Sequence, residues 1–173
     1  MRMLYRGTMS ARLALLSAFL LLAAGPAAAQ SVQSLGEFRD WNAYTAAEGT
    51  GMVCFAMSKP SDVSPPVDGY TQAYLYLTNR PAEGVNNEIN LVAGFDFAPD
   101  QPATLTISGQ SFALFTQKDA AWLLDPSQND DLAGAMRAGS SLTIEGTTDK
   151  GILVTQTYSL SGATAASRAL GGC

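Results

Sequence analysis

Between residues 88 and 97 the chain alternates with period two: Ile89, Leu91, Ala93, Phe95 and Phe97 fall on one side, Glu88, Asn90 and Asp96 on the other. Successive side chains of a strand point to opposite faces, so this run describes a strand with one buried and one solvated face. Gly94 inside it predicts a bulge or a close approach of another backbone. A chain built around such a segment is committed to a sheet with one wet side.

The same pattern recurs along the chain. Residues 38–44 and 52–57 flank Glu48-Gly49-Thr50-Gly51, a hairpin signal. In residues 70–77, Ala73, Leu75 and Leu77 share one face, with Tyr74 and Tyr76 on the other. Residues 79–84 read as a turn, and Pro99 to Pro102 ends the long strand. Leu105 and Ile107 lead into the tight turn Ser108-Gly109, and two short strands carry Phe112, Leu114 and then Trp122. Leu142 and Ile144 mark another strand, followed by a turn over 147–151. In the last strand Ile152, Val154, Tyr158 and Leu160 align, with Gln156 interrupting them.

Residues 125–137 break the β pattern. Asn129 is placed to cap, Asp130 and Asp131 suit a helix N-terminus, and Arg137 and Gly139 suit its end. Leu132, Ala135 and Met136 form the expected buried side of one short helix near 129–138. After the last strand, Ser161-Gly162 and an Ala-rich stretch predict a C-terminal helical turn. The prediction is an all-β protein, an antiparallel β-sandwich, with a closed barrel as the structural alternative. Residues 58–69, with Pro60, Pro65 and Pro66, read as a surface loop, because proline cannot donate to a ladder.

The N-terminus specifies a compartment. Arg2, Arg6 and Arg12 precede an apolar run from Leu13 to Ala23, Gly25-Pro26 breaks it, and Ala27-Ala28-Ala29 follows. This is the order of a secretory signal, with cleavage expected between Ala29 and Gln30. A run of about eleven apolar residues falls short of the roughly 20 that span a bilayer. Residues 1–29 are therefore expected to be removed, leaving no membrane anchor and one domain over 30–173, in the periplasm or on the outer surface. Removal takes three of the ten basic residues and none of the fifteen acidic ones, so the net charge moves from −5 to −8. That charge opposes nucleic acid and anionic lipid, and it suits a basic partner.

The chain has two cysteines, Cys54 and Cys173. In an oxidising compartment the simplest expectation is one intramolecular disulfide, with free thiols or an intermolecular bond as alternatives. No C-x-x-C is present, so a redox-catalytic role is not expected. The absence of histidine removes Ser-His-Asp and Cys-His arrangements and most zinc sites. No phosphate-binding Gly loop, dinucleotide fingerprint or G-x-S-x-G occurs. The segment from Asp125 to Asp131 has oxygen side chains in a calcium-loop spacing. Asp130 stands where the loop needs glycine, and Met136 where it needs the bidentate Glu, so it reads as a loop and cap. No catalytic residue, metal ligand or cofactor is assigned. Trp41 and Trp122 read first as core, and otherwise as sugar-stacking platforms. Paired carboxylates for an envelope glycan hydrolase are the alternative function.

Several segments resemble the invasion-associated locus B family of bacterial exported proteins. They are Phe38-Arg39-Asp40-Trp41, Val53-Cys54-Phe55-Ala56-Met57-Ser58 with Pro60, Gly94-Phe95-Asp96-Phe97, Phe112-Ala113-Leu114 leading to Ala121-Trp122, Asp131-Leu132 with Ala135-Met136-Arg137-Ala138-Gly139, and Thr157-Tyr158-Ser159-Leu160-Ser161-Gly162 with Ala165-Ala166. The chain departs from the family at Ala163, where an aromatic residue commonly follows. The resemblance implies an immunoglobulin-like β-sandwich, export, a disulfide and, in some pathogenic members, a link to invasion of host cells. It brings no enzymatic activity or cofactor. The functional expectation is a non-catalytic exported interaction module whose partner is an envelope or host protein.

Overall fold

The computed structural model describes residues 32–49 and 51–173. The expected signal segment, with its cleavage between Ala29 and Gln30, lies outside the described residues. Among the described residues eleven strands are present: β1 (Gln33–Phe38), β2 (Trp41–Glu48), β3 (Gly51–Ser58), β4 (Asp62–Ser64), β5 (Tyr74–Arg80), β6 (Val85–Val92), β7 (Ala103–Ile107), β8 (Gln110–Gln117), β9 (Ala120–Leu123), β10 (Ser141–Thr147) and β11 (Leu153–Ser159). Two helices, α1 (Asn129–Ala138) and α2 (Ala163–Ala169), and short 3-10 turns complete the secondary structure of the described residues. Among the described residues no helix is long and apolar enough to cross a membrane.

The strands form one antiparallel sheet in the order β1-β2-β3-β5-β6-β9-β8-β7-β10-β11-β4. Strands β6 to β9 make a Greek key: β7, β8 and β9 are joined by hairpins, and β9 lies beside β6. The Ser108-Gly109 turn joins β7 to β8 with both residues at positive φ, +48° and +84°, the conformation that matches the twist of a two-residue hairpin. The ends of the sheet, β1 and β4, do not pair with each other, so the barrel alternative fails. The sheet instead folds over as a sandwich. Leu75, Leu77, Ile89 and Leu91 from one half share a core with Leu105, Leu114, Ile144 and Tyr158 from the other.

Polar contacts knit the two halves where they meet. Trp41, 0% exposed, donates its indole N–H to the Ser159 carbonyl at 3.0 Å. The Asp40 N–H donates to the Ser161 carbonyl at 3.2 Å. Gly162 follows at φ +95°, and a Cβ there would collide with the Phe38 carbonyl. Only glycine satisfies both conditions without strain. Helix α2 then packs across β1, β2 and β3, with Ala163 and Ala166 buried. The chain ends at Cys173, bonded to Cys54 of β3.

Gln156, which interrupts the apolar face of the last strand in the sequence, is 1% exposed. Its Nε2 donates to the Ala93 carbonyl at 2.7 Å, and its Oε1 accepts the Tyr158 hydroxyl at 3.1 Å. It is a strut across the sandwich. A buried amide costs free energy unless it is bonded, and this one is bonded at both ends.

Several boundaries differ from expectation. The 88–97 strand ends at Val92, because Gly94 turns at φ +78° directly against the Thr71 carbonyl. Phe97 still reaches the core, from a loop, and bridges to Thr148. The 38–44 strand is broken by a turn at Arg39, φ +55°, so Phe38 ends β1 and Trp41 begins β2. Strand β5 starts at Tyr74 and continues to Arg80, into the expected 79–84 turn. Strand β4 forms inside the Pro-rich 58–69 segment, pairing with β11. Ile152 is 38% exposed and lies outside the core. In α1 the buried residues are Leu132, Ala133 and Met136, with Ala135 only partly covered.

Two predictions follow from the strut. Gln156→Leu leaves the Ala93 carbonyl unsatisfied and should lower stability by about 1–3 kcal/mol, read as a lower urea midpoint at unchanged slope. Burial pushes the Tyr158 hydroxyl far above its ordinary range. In the unfolded chain tyrosine titrates near pH 10, so above that pH the unfolded state releases a proton that the native state keeps. Stability should fall by about 1.4 kcal/mol per pH unit for this group, and Tyr158→Phe should remove that share of the alkaline slope in urea titrations at pH 9 to 11.

Candidate functional site

The sheet is unusual in what it turns outward. Beyond Trp41 at the start of β2, the core-facing residues of β2 and β3 are small: Ala43, Cys54 and Ala56. Their neighbours on the wet face are large: Tyr44 and Phe55, paired across the strands with ring centroids 5.4 Å apart. Small inward residues suit the close approach of α2 with its own alanines. The large residues are left on the opposite face.

The band continues across the sheet. Phe55 meets Tyr76 of β5 at 6.2 Å. Tyr76 lies opposite Asn90 of β6, and Asn90 lies opposite Trp122 of β9. Trp122 in turn stacks on Phe115 of β8, at 5.2 Å and 18° between planes. Six strands, separated by five spacings of about 4.8 Å, give a band of about 24 Å. Its aromatic members are half-buried, except Phe115, which is 42% exposed. The Tyr76 hydroxyl is shifted up, first by burial and then by the nearby Tyr74. Trp41 is core, as expected, but Trp122 is not. Ala121 and Leu123 take the inward positions of β9, and alternation sends the indole out.

At one end of the band lies a hollow of about 330 Å³, lined by Phe115, Trp122, Gln117, Glu88, Pro126 and Asn129. A second hollow of about 400 Å³ shares Glu88, Pro126 and Asn129 with it and adds Asp130. Arg80 holds Glu88 through two bonds of 2.9 and 3.1 Å. This bond to Glu88, with Glu83 and Glu48 nearby, raises the guanidinium pKa further. Asn129 was expected to cap α1. Instead Asp125 caps the preceding 3-10 turn, accepting the Ser127 N–H at 3.0 Å and the Ser127 hydroxyl at 2.7 Å. Asn129 is already helical, and its Oδ1 is buried with no hydrogen-bond partner among the described residues. At the other end of the band a hollow of about 340 Å³ is lined by Arg39, Asn42, Lys59, Ser61, Tyr74 and Ser159, with the Lys59 ammonium 5.8 Å from the Tyr74 ring.

Of the residues singled out in the sequence, Cys54 and Cys173 come together in the disulfide, away from the band. Of the band, the outward parity of Tyr76 was legible in the sequence, together with that of its neighbour Tyr74. The same parity argument applied to Tyr44, Phe55 and Phe115 would have found the rest.

Comparison with solved structures finds a likeness to the crystal structure of invasion associated protein B from Bartonella henselae. The TM-score is 0.57 at 16% identity, over 81% of this chain and 96% of that one. At that identity the likeness is one of fold. No protein-family model matches the chain. No curated protein matches it by sequence.

If the band is kept for contact rather than stability, removing one ring should cost little. Phe55→Thr should lower stability by less than about 1 kcal/mol, the range of a cross-strand pair. Trp41→Ala should cost about 3–5 kcal/mol. Urea midpoints of the two variants test the contrast.

Proposed function

We propose that the protein is an exported, non-catalytic interaction module of the bacterial cell envelope, meeting a protein partner through the aromatic band. The observation that carries this reading is the packing of β2 and β3 beyond Trp41, small residues inward and rings outward, continued across the sheet to Trp122 and Phe115. Aromatic side chains present large area at low conformational cost, which is why they anchor protein contacts. The disulfide supports an oxidising compartment, and the N-terminal charge and hydropathy pattern supports export. The likeness in fold to invasion associated protein B extends the possible partners from envelope proteins to host proteins. A glycan hydrolase would need two free carboxylates across a cleft. Glu88, the carboxylate beside Trp122, has both oxygens engaged by Arg80.

The test is photo-crosslinking in intact cells, with p-benzoylphenylalanine in place of Phe55 and, as a control, in place of Lys150 on the turn after β10. A discrete adduct at position 55 that Tyr76→Ala abolishes, and that is absent at 150, is expected. Protease treatment before and after opening the outer membrane assigns the compartment in the same samples. No adduct at 55, or equal adducts at both positions, overturns the reading.

A further inference from the structure

We propose that the occupant of the aromatic band is a second copy of this chain, packed face to face about a two-fold axis that runs along the band. This rests on the reading of the band as a partner-binding face, and it names the partner.

The first observation is the contrast between the two wet faces of the sandwich. On β7, β10 and β11 the outward residues include Thr104, Thr106, Thr143, Glu145, Thr155 and Thr157. Hydroxyls there bond to their neighbours, as Thr106 and Ser111 do at 3.1 Å. That is the ordinary wet face of an antiparallel sheet. On the first half, Asn42, Met57, Tyr76, Asn90, Trp122 and Phe115 stand in one register row. Tyr44 and Phe55 flank that row on one side, and Tyr74 and Val92 on the other. A broad apolar face of this kind suits another sheet, because two sheets pack face to face with their side chains interdigitated. The second observation is size. The row spans about 24 Å, and the rows through Tyr74, Tyr76 and Thr78 add about 14 Å along the strands. With side-chain reach at each margin the face is on the order of 600 Å², the low end of what each partner gives to a specific interface.

The third observation is charge, and it selects the partner. Strand β2 begins just after Arg39-Asp40 and ends at Glu48. Lys59 follows the end of β3 on the Arg39 side, and both cations line one hollow with Asp40. Glu48 and Glu83 lie on the opposite side, near the Arg80–Glu88 pair. The band is thus bounded by two cations and one acid along one margin, and by three glutamates and one arginine along the other. Arg80–Glu88 is the one ion pair among the described residues, so Arg39, Lys59, Glu48 and Glu83 have no ionic partner there. A two-fold axis along the band lays the cationic margin of each copy over the glutamate margin of the other, with Lys59 against Glu48, and it does so twice. Such a surface is complementary to itself. The acids Asp62 and Glu145 belong to the other wet face. A sheet spacing of about 10 Å sets them beyond the roughly 8 Å over which charge acts at physiological salt.

The experiment is sedimentation equilibrium of the protein, disulfide intact, from about 1 to 500 μM. A reversible monomer–dimer equilibrium is expected, with a dissociation constant on the order of 10 μM for a face of this size. Phe55→Glu places an unpaired acid from each copy in the contact and should leave only monomer. Lys59→Glu and Glu48→Lys each set like charges against each other twice, and each should weaken its own dimer at least about tenfold. Both positions are exposed, so the urea midpoints of these two variants should stay near that of the parent. Mixing the two variants should restore the dimer, because a two-fold contact then makes both pairs opposite in charge again. Only monomer at the highest concentration, a dimer that any one of the three substitutions leaves unchanged, or a mixture that fails to restore association overturns the proposal. If sedimentation shows only monomer while the adduct at position 55 has a mass other than twice that of the chain, the band remains a contact face and a different protein occupies it. If sedimentation shows only monomer and position 55 gives no adduct, the reading of the band falls as well.

Discussion

An open antiparallel sheet with one apolar face has to fold over to hide it, and here the fold depends on where the two halves meet. The Trp41 indole, fully buried, bonds to the Ser159 carbonyl. The adjacent Asp40 N–H bonds to the Ser161 carbonyl, and Gly162 turns beneath the Phe38 carbonyl. These contacts bring β11 against the β1–β2 corner, more than a hundred residues earlier in sequence. Hydrogen bonds alone contribute modestly. The Cys54–Cys173 bond adds the constraint that matters in the unfolded state. It closes a loop spanning 119 residues, for which the chain-entropy view gives roughly 4–5 kcal/mol. With the C-terminus held to β3, α2 is confined to the surface of β1, β2 and β3.

That confinement accounts for the inverted packing. A helix presenting Ala163 and Ala166 lies close only against small side chains, and β2 and β3 supply Ala43 and Ala56. Beyond Trp41, which β2 sends into the core, the volume that these strands would normally carry inward is carried outward, by Tyr44 and Phe55. In the middle of the sheet the ordinary arrangement returns, with Leu75, Leu77, Ile89 and Leu91 inside. Yet Tyr76 and Trp122 still prolong the outward band. Helix α2 packs against β1, β2 and β3 and not comparably against β9, where Ala121 and Leu123 point inward. The outward Trp122 is therefore not a by-product of α2, and this separates a feature explained by packing from one that packing leaves unexplained.

Much of the fold was legible because period two is a local signal. Leu75 and Leu77, Ile89 and Leu91, and Leu142 and Ile144 fall on the core face as alternation requires. What was not legible depends on distant partners. Gln156 looked like an interruption because its acceptor, the Ala93 carbonyl, is 63 residues away. Strand β4 was hidden among prolines because its existence depends on β11. The alternation through Phe95 and Phe97 persisted beyond the strand, since a loop can also send rings inward once Gly94 has turned the chain. Trp122 was misassigned for a different reason. Its size suggested the core, although the parity of Ala121 and Leu123 already pointed it outward.

The start of α1 shows how a small local choice shapes the candidate site. Had Asn129 been the cap, its Oδ1 would accept an N–H of its own helix and would not be left unpartnered. Asp125 performs the cap one turn earlier, on Ser127, within a 3-10 turn that begins at Pro126. Asn129 is thereby drawn into the helix, and its oxygen is left buried with no hydrogen-bond partner among the described residues. A leucine of similar size would fill that position without an unsatisfied acceptor. The amide therefore costs the protein stability.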